Sequence, residues 1–75
     1  MSEQAVQDYL GKLDRLERKM LNAALPSGDT MLERGTIENY RQQLRHFGSY
    51  DPAMQEMLME ELDRDISRIN ARYRF

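Results

Sequence analysis

Residues 51–73 read DPAMQEMLMEELDRDISRINARY, and no Pro or Gly follows Pro52. Met54, Leu58, Leu62, Ile66, Ile69 and Tyr73 recur at steps of three and four. At about 100° per residue they share one stripe of a helix. Asp51 suits the N-cap and Pro52 the first helical position. A helix over 52–73 would run roughly 33 Å. That is longer than a chain of 75 residues is expected to be wide as a globule.

Working outward, two further stretches carry the same period. Val6, Tyr9, Leu13, Leu16, Met20 and Ala23 alternate steps of three and four, the a/d pattern of a coiled coil. They predict a helix over about 3–25, with Ser2 as a candidate cap and Leu10 and Ala24 widening the stripe. Ile37, Tyr40, Leu44 and Phe47 predict a second helix over 36–47. Gly48 is placed to end it as a left-handed C′ residue, with Arg45 and His46 in the last turn. Between these two stretches, Pro26-Ser27-Gly28-Asp29 reads as a turn. Thr30 and Glu33 have the spacing of a capping box. Gly35-Thr36 leaves open whether residues 30–35 join the second helix. Gly11 has two readings, plain backbone tolerance or a close approach of a second helix.

The chain therefore reads as all-α: three amphipathic helices in one domain over residues 1–75. They form either a small helical bundle or an extended helical hairpin with the third helix projecting. A domain this small buries only about 60% of its unfolded surface, which predicts self-association. Valine occurs once and isoleucine three times, which argues against a sheet.

Composition narrows the function classes. Net charge is -2 with 32% charged residues, neither a polycation for nucleic acid nor an acidic tail. There is no cysteine, hence no disulfide and no thiolate ligand or nucleophile, which fits a reducing, cytoplasmic setting. No run of 18 apolar residues is present to span a membrane. His46 is the lone histidine and lies off the apolar stripe of its helix, where a solvated role is the plain reading. Asp63 and Asp65 stand two apart, so on a helix they face different ways and cannot readily share a proton or a metal. The expectation is a non-enzyme with no catalytic residue, cofactor or metal site.

What remains is a binding surface. Residues 49–63 carry Asp51, Glu56, Glu60, Glu61 and Asp63 with no base, whereas residues 64–75 carry Arg64, Arg68, Arg72 and Arg74 against Asp65. Both halves suit the helix dipole. Arg64, Arg68 and Arg72 form a ridge at i, i+4, i+8, with Glu60 and Glu61 in reach of Arg64. Met57 falls off the apolar stripe, on the Arg side. Tyr73 and Phe75 end the chain with two aromatics, read as docked on a neighbour. Met57, Arg64, Arg68, Arg72, Tyr73 and Phe75 are thus the candidate partner-binding residues. The partner is another protein or a second copy, since antiparallel third helices would set acid against base. Reversing the charge of Arg64 and Arg68 is expected to remove the partner and spare the fold. The second reading is a nucleic-acid-associated regulator using Arg41, Arg45 and the third-helix arginines.

Overall fold

A computed structural model of the chain describes residues 2–23, 25 and 27–74, the side chains of Ser2, Ser27 and Asp29 excepted. Three helices follow one another: α1 (Ser2–Asn22), α2 (Ser27–Arg45) and α3 (Pro52–Tyr73), with a short 3₁₀ turn at Phe47–Ser49 before α3. Cross-links between the helices give their directions. Arg41 of α2 reaches Asp14 and Glu17 of α1, and Arg34 reaches Glu17, so α1 and α2 run antiparallel. Tyr40 reaches Glu61 and Asp65 while Glu33 meets Arg68, so α3 runs antiparallel to α2. The result is an up-down-up bundle measuring 38 × 18 × 16 Å. Of the two shapes open to the sequence, the compact bundle is the one adopted.

The core takes one stripe from each helix. Leu13, Leu16 and Met20 come from α1, Ile37, Tyr40 and Leu44 from α2, and Leu58, Leu62 and Ile69 from α3; Phe47 of the 3₁₀ turn closes one end. Ile37 and Leu62 are wholly inaccessible to solvent. Val6, Tyr9, Ile66 and Tyr73 pack half-buried against this core. Met54 and Ala23, at the ends of their stripes, are exposed instead.

The start of α3 follows its sequence closely. The Asp51 carboxylate accepts the Met54 N–H at 2.9 Å, and Pro52 opens the helix. At the other end Arg74 adopts the left-handed conformation and its N–H bonds to the Asn70 carbonyl.

Three boundaries differ from the sequence reading. The first helix ends at Asn22 rather than 25, with the Ala23 N–H drawn to the Met20 carbonyl in a tight last turn. The second helix starts at Ser27 rather than 36, so residues 27–35 are helical. Ser, Gly and Asp are turn formers but also frequent at helix starts, and here the second role holds. Residues 30–35 join α2, so Thr30 lies inside the helix rather than at its start, and the Glu33 carboxylate accepts from Arg68 of α3. Gly48 is not left-handed. The chain instead continues into the 3₁₀ turn, where the Ser49 and Tyr50 N–H groups bond to the His46 and Phe47 carbonyls. Ser2 as a cap, Ala24 on the stripe and Pro26 in the turn lie outside the described side chains and residues.

Gly11 and Gly35 sit inside helices with ordinary backbone angles. A methyl added at Gly11 would meet only the Arg15 guanidinium, at 3.5 Å, and one at Gly35 would meet nothing. Gly11 therefore marks backbone tolerance, not a close helix approach. Gly35→Ala should raise stability by about 0.5–1 kcal/mol by restricting the unfolded chain. Urea melts of the two proteins check this; an unchanged or lower midpoint would contradict it.

Among the described residues, no helix is long and apolar enough to cross a membrane.

Candidate functional site

The six candidate residues separate into different environments. Met57 is 59% exposed on the outer side of α3. It borders a groove of about 130 Å³ formed with Gln43, Tyr50, Met54, Leu58 and Glu61. Arg64 is exposed and makes no ion pair among the described residues, including with Glu60 or Glu61. Arg68, though partly exposed, leans onto α2. Its two terminal nitrogens donate to the Glu33 carboxylate at 3.2 and 3.3 Å, and its Nε lies 3.5 Å from Asp65. The Arg72 guanidinium lies 5.2 Å from the centre of the Tyr73 ring, and Tyr73 packs on the core. Phase of the helix explains the split: each step of four advances about 40° around the axis, so the ridge curves from solvent at Arg64 towards α2 at Arg68. Arg68 is therefore part of the fold, and charge reversal there cannot be neutral. Phe75 lies outside the described residues.

The ion pairs collect on the sides of the bundle that face α2. Arg41 is bonded to Asp14 at 2.8 Å and Glu17 at 2.9 Å, with Glu38 at 3.5 Å, and Arg34 lies 3.5 Å from Glu17. The hydrogen bond from Arg41 pulls the Glu17 carboxyl below its usual range, against the opposing effect of burial. That contribution to stability is present above the ordinary carboxylate pKa and is lost as pH falls.

Two tyrosines tie α3 to its neighbours. The Tyr9 hydroxyl of α1 donates to Asp63 at 2.9 Å, and the Tyr40 hydroxyl of α2 donates to Asp65 and to the Glu61 carbonyl at 3.3 Å. Asp63 and Asp65 do face different ways, as their spacing requires, and each meets a different helix. Spacing located the carboxylates, but their tyrosine partners lie 54 and 25 residues away in sequence. No local pattern marks such pairs. The only hint was a tyrosine inside each apolar stripe, since a buried phenol needs an acceptor.

Burial, then the Asp63 hydrogen bond and charge, push the Tyr9 phenol up to about 12. Tyr40 is raised too, first by burial and then by its bond to Asp65. A raised folded-state pKa contributes stability that is complete below the unfolded value of about 10 and lost as pH climbs through the folded one. Stability should therefore fall between about pH 10 and 12, and less steeply in Tyr9→Phe. Denaturant melts across that range check this; equal slopes for the two proteins would contradict it.

His46 is exposed. Among the described residues, no three His, Cys, Asp or Glu side chains are grouped so as to hold a metal ion. Comparison of the chain with protein-family models, with curated proteins and with solved structures finds no match.

Proposed function

We propose that the chain is a small non-enzymatic helical module, an adaptor, assembly subunit, chaperone-like or inhibitor protein, that works by binding another protein through α3. The observation that carries this reading is the pair Met54 and Met57. They are 51% and 59% exposed, beside the groove floored by Leu58 and Tyr50. Long thioether side chains repack around varied partners. Covering one that is half exposed is worth on the order of 1 kcal/mol. Arg64, exposed two turns along the same outer side, adds a charge open to a partner carboxylate. A cytoplasmic setting goes with a chain that has no cysteine.

The nucleic-acid reading has less to draw on. Arg41 and Arg68, two of its cations, are already bonded to carboxylates, which leaves less positive charge for phosphate.

Affinity capture from extracts of the source cell tests the proposal, with Met57→Asp/Arg64→Glu as the paired bait. Both positions are exposed, so the variant should keep its helical circular dichroism. A protein held by the parent chain and lost from the variant is the expected result. Capture of the same proteins by both baits, or recovery of nucleic acid alone, would overturn it.

A further inference from the structure

The seam between α1 and α3 differs from the other two seams of the bundle. Every interhelical ion pair among the described residues involves α2: Arg34 and Arg41 with α1, and Glu33 with α3. The charges along the α1–α3 seam are left without ion-pair partners, and they are sorted by sign. Lys12, Arg15 and Lys19 line a groove of about 360 Å³ at one end, opposite Ser67 and Asn70. Asp63 also borders this groove, where it accepts from Tyr9, and beyond it towards the other end stand Asp8, Glu56 and Glu60. Asp8 falls on the α1 row with Lys12, Arg15 and Lys19 by steps of four, three and four. Glu56 and Glu60 share the α3 row with Asp63, Ser67 and Asn70 by the same spacing. All seven charged residues are exposed.

The sorting follows from chain direction. Tyr9 bonds to Asp63, and Lys19 shares the groove with Asn70, so α1 and α3 run parallel. The acidic starts of the two rows therefore lie side by side, and the basic residues of α1 lie beside the uncharged Ser67 and Asn70 of α3.

We infer that the α1–α3 seam is a docking face for a second copy of the same seam, laid antiparallel about a two-fold axis, with acidic end on basic end. This rests on the reading of α3 as an interaction helix, and it names the face and the partner. A parallel copy would set acid against acid, whereas the antiparallel one satisfies both ends at once. Half-buried Met59 and Ile66 supply apolar contact along the α3 side. The broadest outline of the whole bundle is 38 by 18 Å, so a seam between two of its helices is a small interface beside the roughly 800 Å² per partner of a standard stable one. The dimer is thus of modest affinity, with electrostatics setting its register.

Sedimentation equilibrium of the full chain, from low micromolar to about 1 mM, reads this directly. A monomer–dimer equilibrium is expected, with Kd rising about tenfold from low to high salt. Arg15→Glu/Lys19→Glu leaves Lys12 as the one cation among the seven seam charges, and Glu56→Lys/Glu60→Lys leaves Asp8 and Asp63 as the only two anions among them. Each variant alone should be monomeric with helicity retained, and an equimolar mixture should form a heterodimer. Lys12 is left in place because it covers the Tyr9 ring at 5.1 Å. A parent chain that stays monomeric throughout, or variants that fail to pair when mixed, would overturn the inference. A monomer that still captures a partner through Met57 and Arg64 sinks the dimer and spares the proposed function. A dimer whose Met57→Asp/Arg64→Glu variant loses no partner does the reverse.

Discussion

Leu62→Asp leaves the chain without a cooperative thermal transition at neutral pH. Leu62 is wholly buried at the centre of the α3 stripe. Truncation alone, as in Leu62→Ala, removes about 2–5 kcal/mol through lost burial and the cavity left behind. Asp adds a carboxylate with no partner in the core, which costs several kcal/mol more. A domain of 75 residues has about 4–11 kcal/mol in total, so the sum reaches or exceeds what is available. Circular dichroism should show most of the helix lost, because α1 and α2 cannot close a core without α3. A sigmoidal melt in the Asp variant, within about 10 °C of the parent, would rule out this account of the core.

The second large effect sits on one ridge of α3, where two arginines one turn apart behave oppositely. Arg68→Glu should cost about 2 kcal/mol, below the range for breaking a fully buried pair. The Glu33 side chain is only 6% exposed and would lose its two hydrogen bonds to the guanidinium. Solvent moderates the loss, since the Arg68 side chain is 43% exposed. Arg64→Glu, with no ion pair among the described residues, should change stability by less than about 0.5 kcal/mol. Replacing both Glu33 and Arg68 by Met should recover most of the loss, because no buried charge is then left alone. Urea denaturation of the four proteins gives the comparison. Equal midpoints for the Arg64 and Arg68 variants would mean that the Glu33 contact contributes nothing.

Much of the bundle was legible in the spacing of its apolar residues. The Ile37, Tyr40, Leu44 and Phe47 stripe is buried along its whole length, and Asp51-Pro52 opens α3 as capping chemistry requires. These features depend on neighbours a few residues away, which a linear pattern records. The start of α2 was not legible. Residues 27–35 are rich in Gly, Ser, Asp and Thr; local propensity reads Pro26-Ser27-Gly28-Asp29 as a turn and leaves 30–35 open. In the bundle they are helical, and Glu33, in their midst, bonds to Arg68 on α3, a partner that exists only once the helices have docked. The candidate surface was divided for the same reason. Spacing grouped Arg64, Arg68 and Arg72 on one ridge, but it could not say where α2 would lie against that ridge.

The sequence by itself determined three amphipathic helices, their apolar stripes, the entry to α3 and the acid-to-base division along that helix. Each is a matter of residues within a turn or two of one another. The tertiary structure alone decided that the stripes close into a bundle rather than an open hairpin. It also decided that Tyr9 and Tyr40 hold Asp63 and Asp65, and that Arg41 and Arg68 are spent on internal carboxylates. Among the described residues, it left the charges of the α1–α3 seam without ion-pair partners. Those outcomes depend on which helix faces place distant side chains within hydrogen-bond reach, and helical periodicity carries no information about that choice.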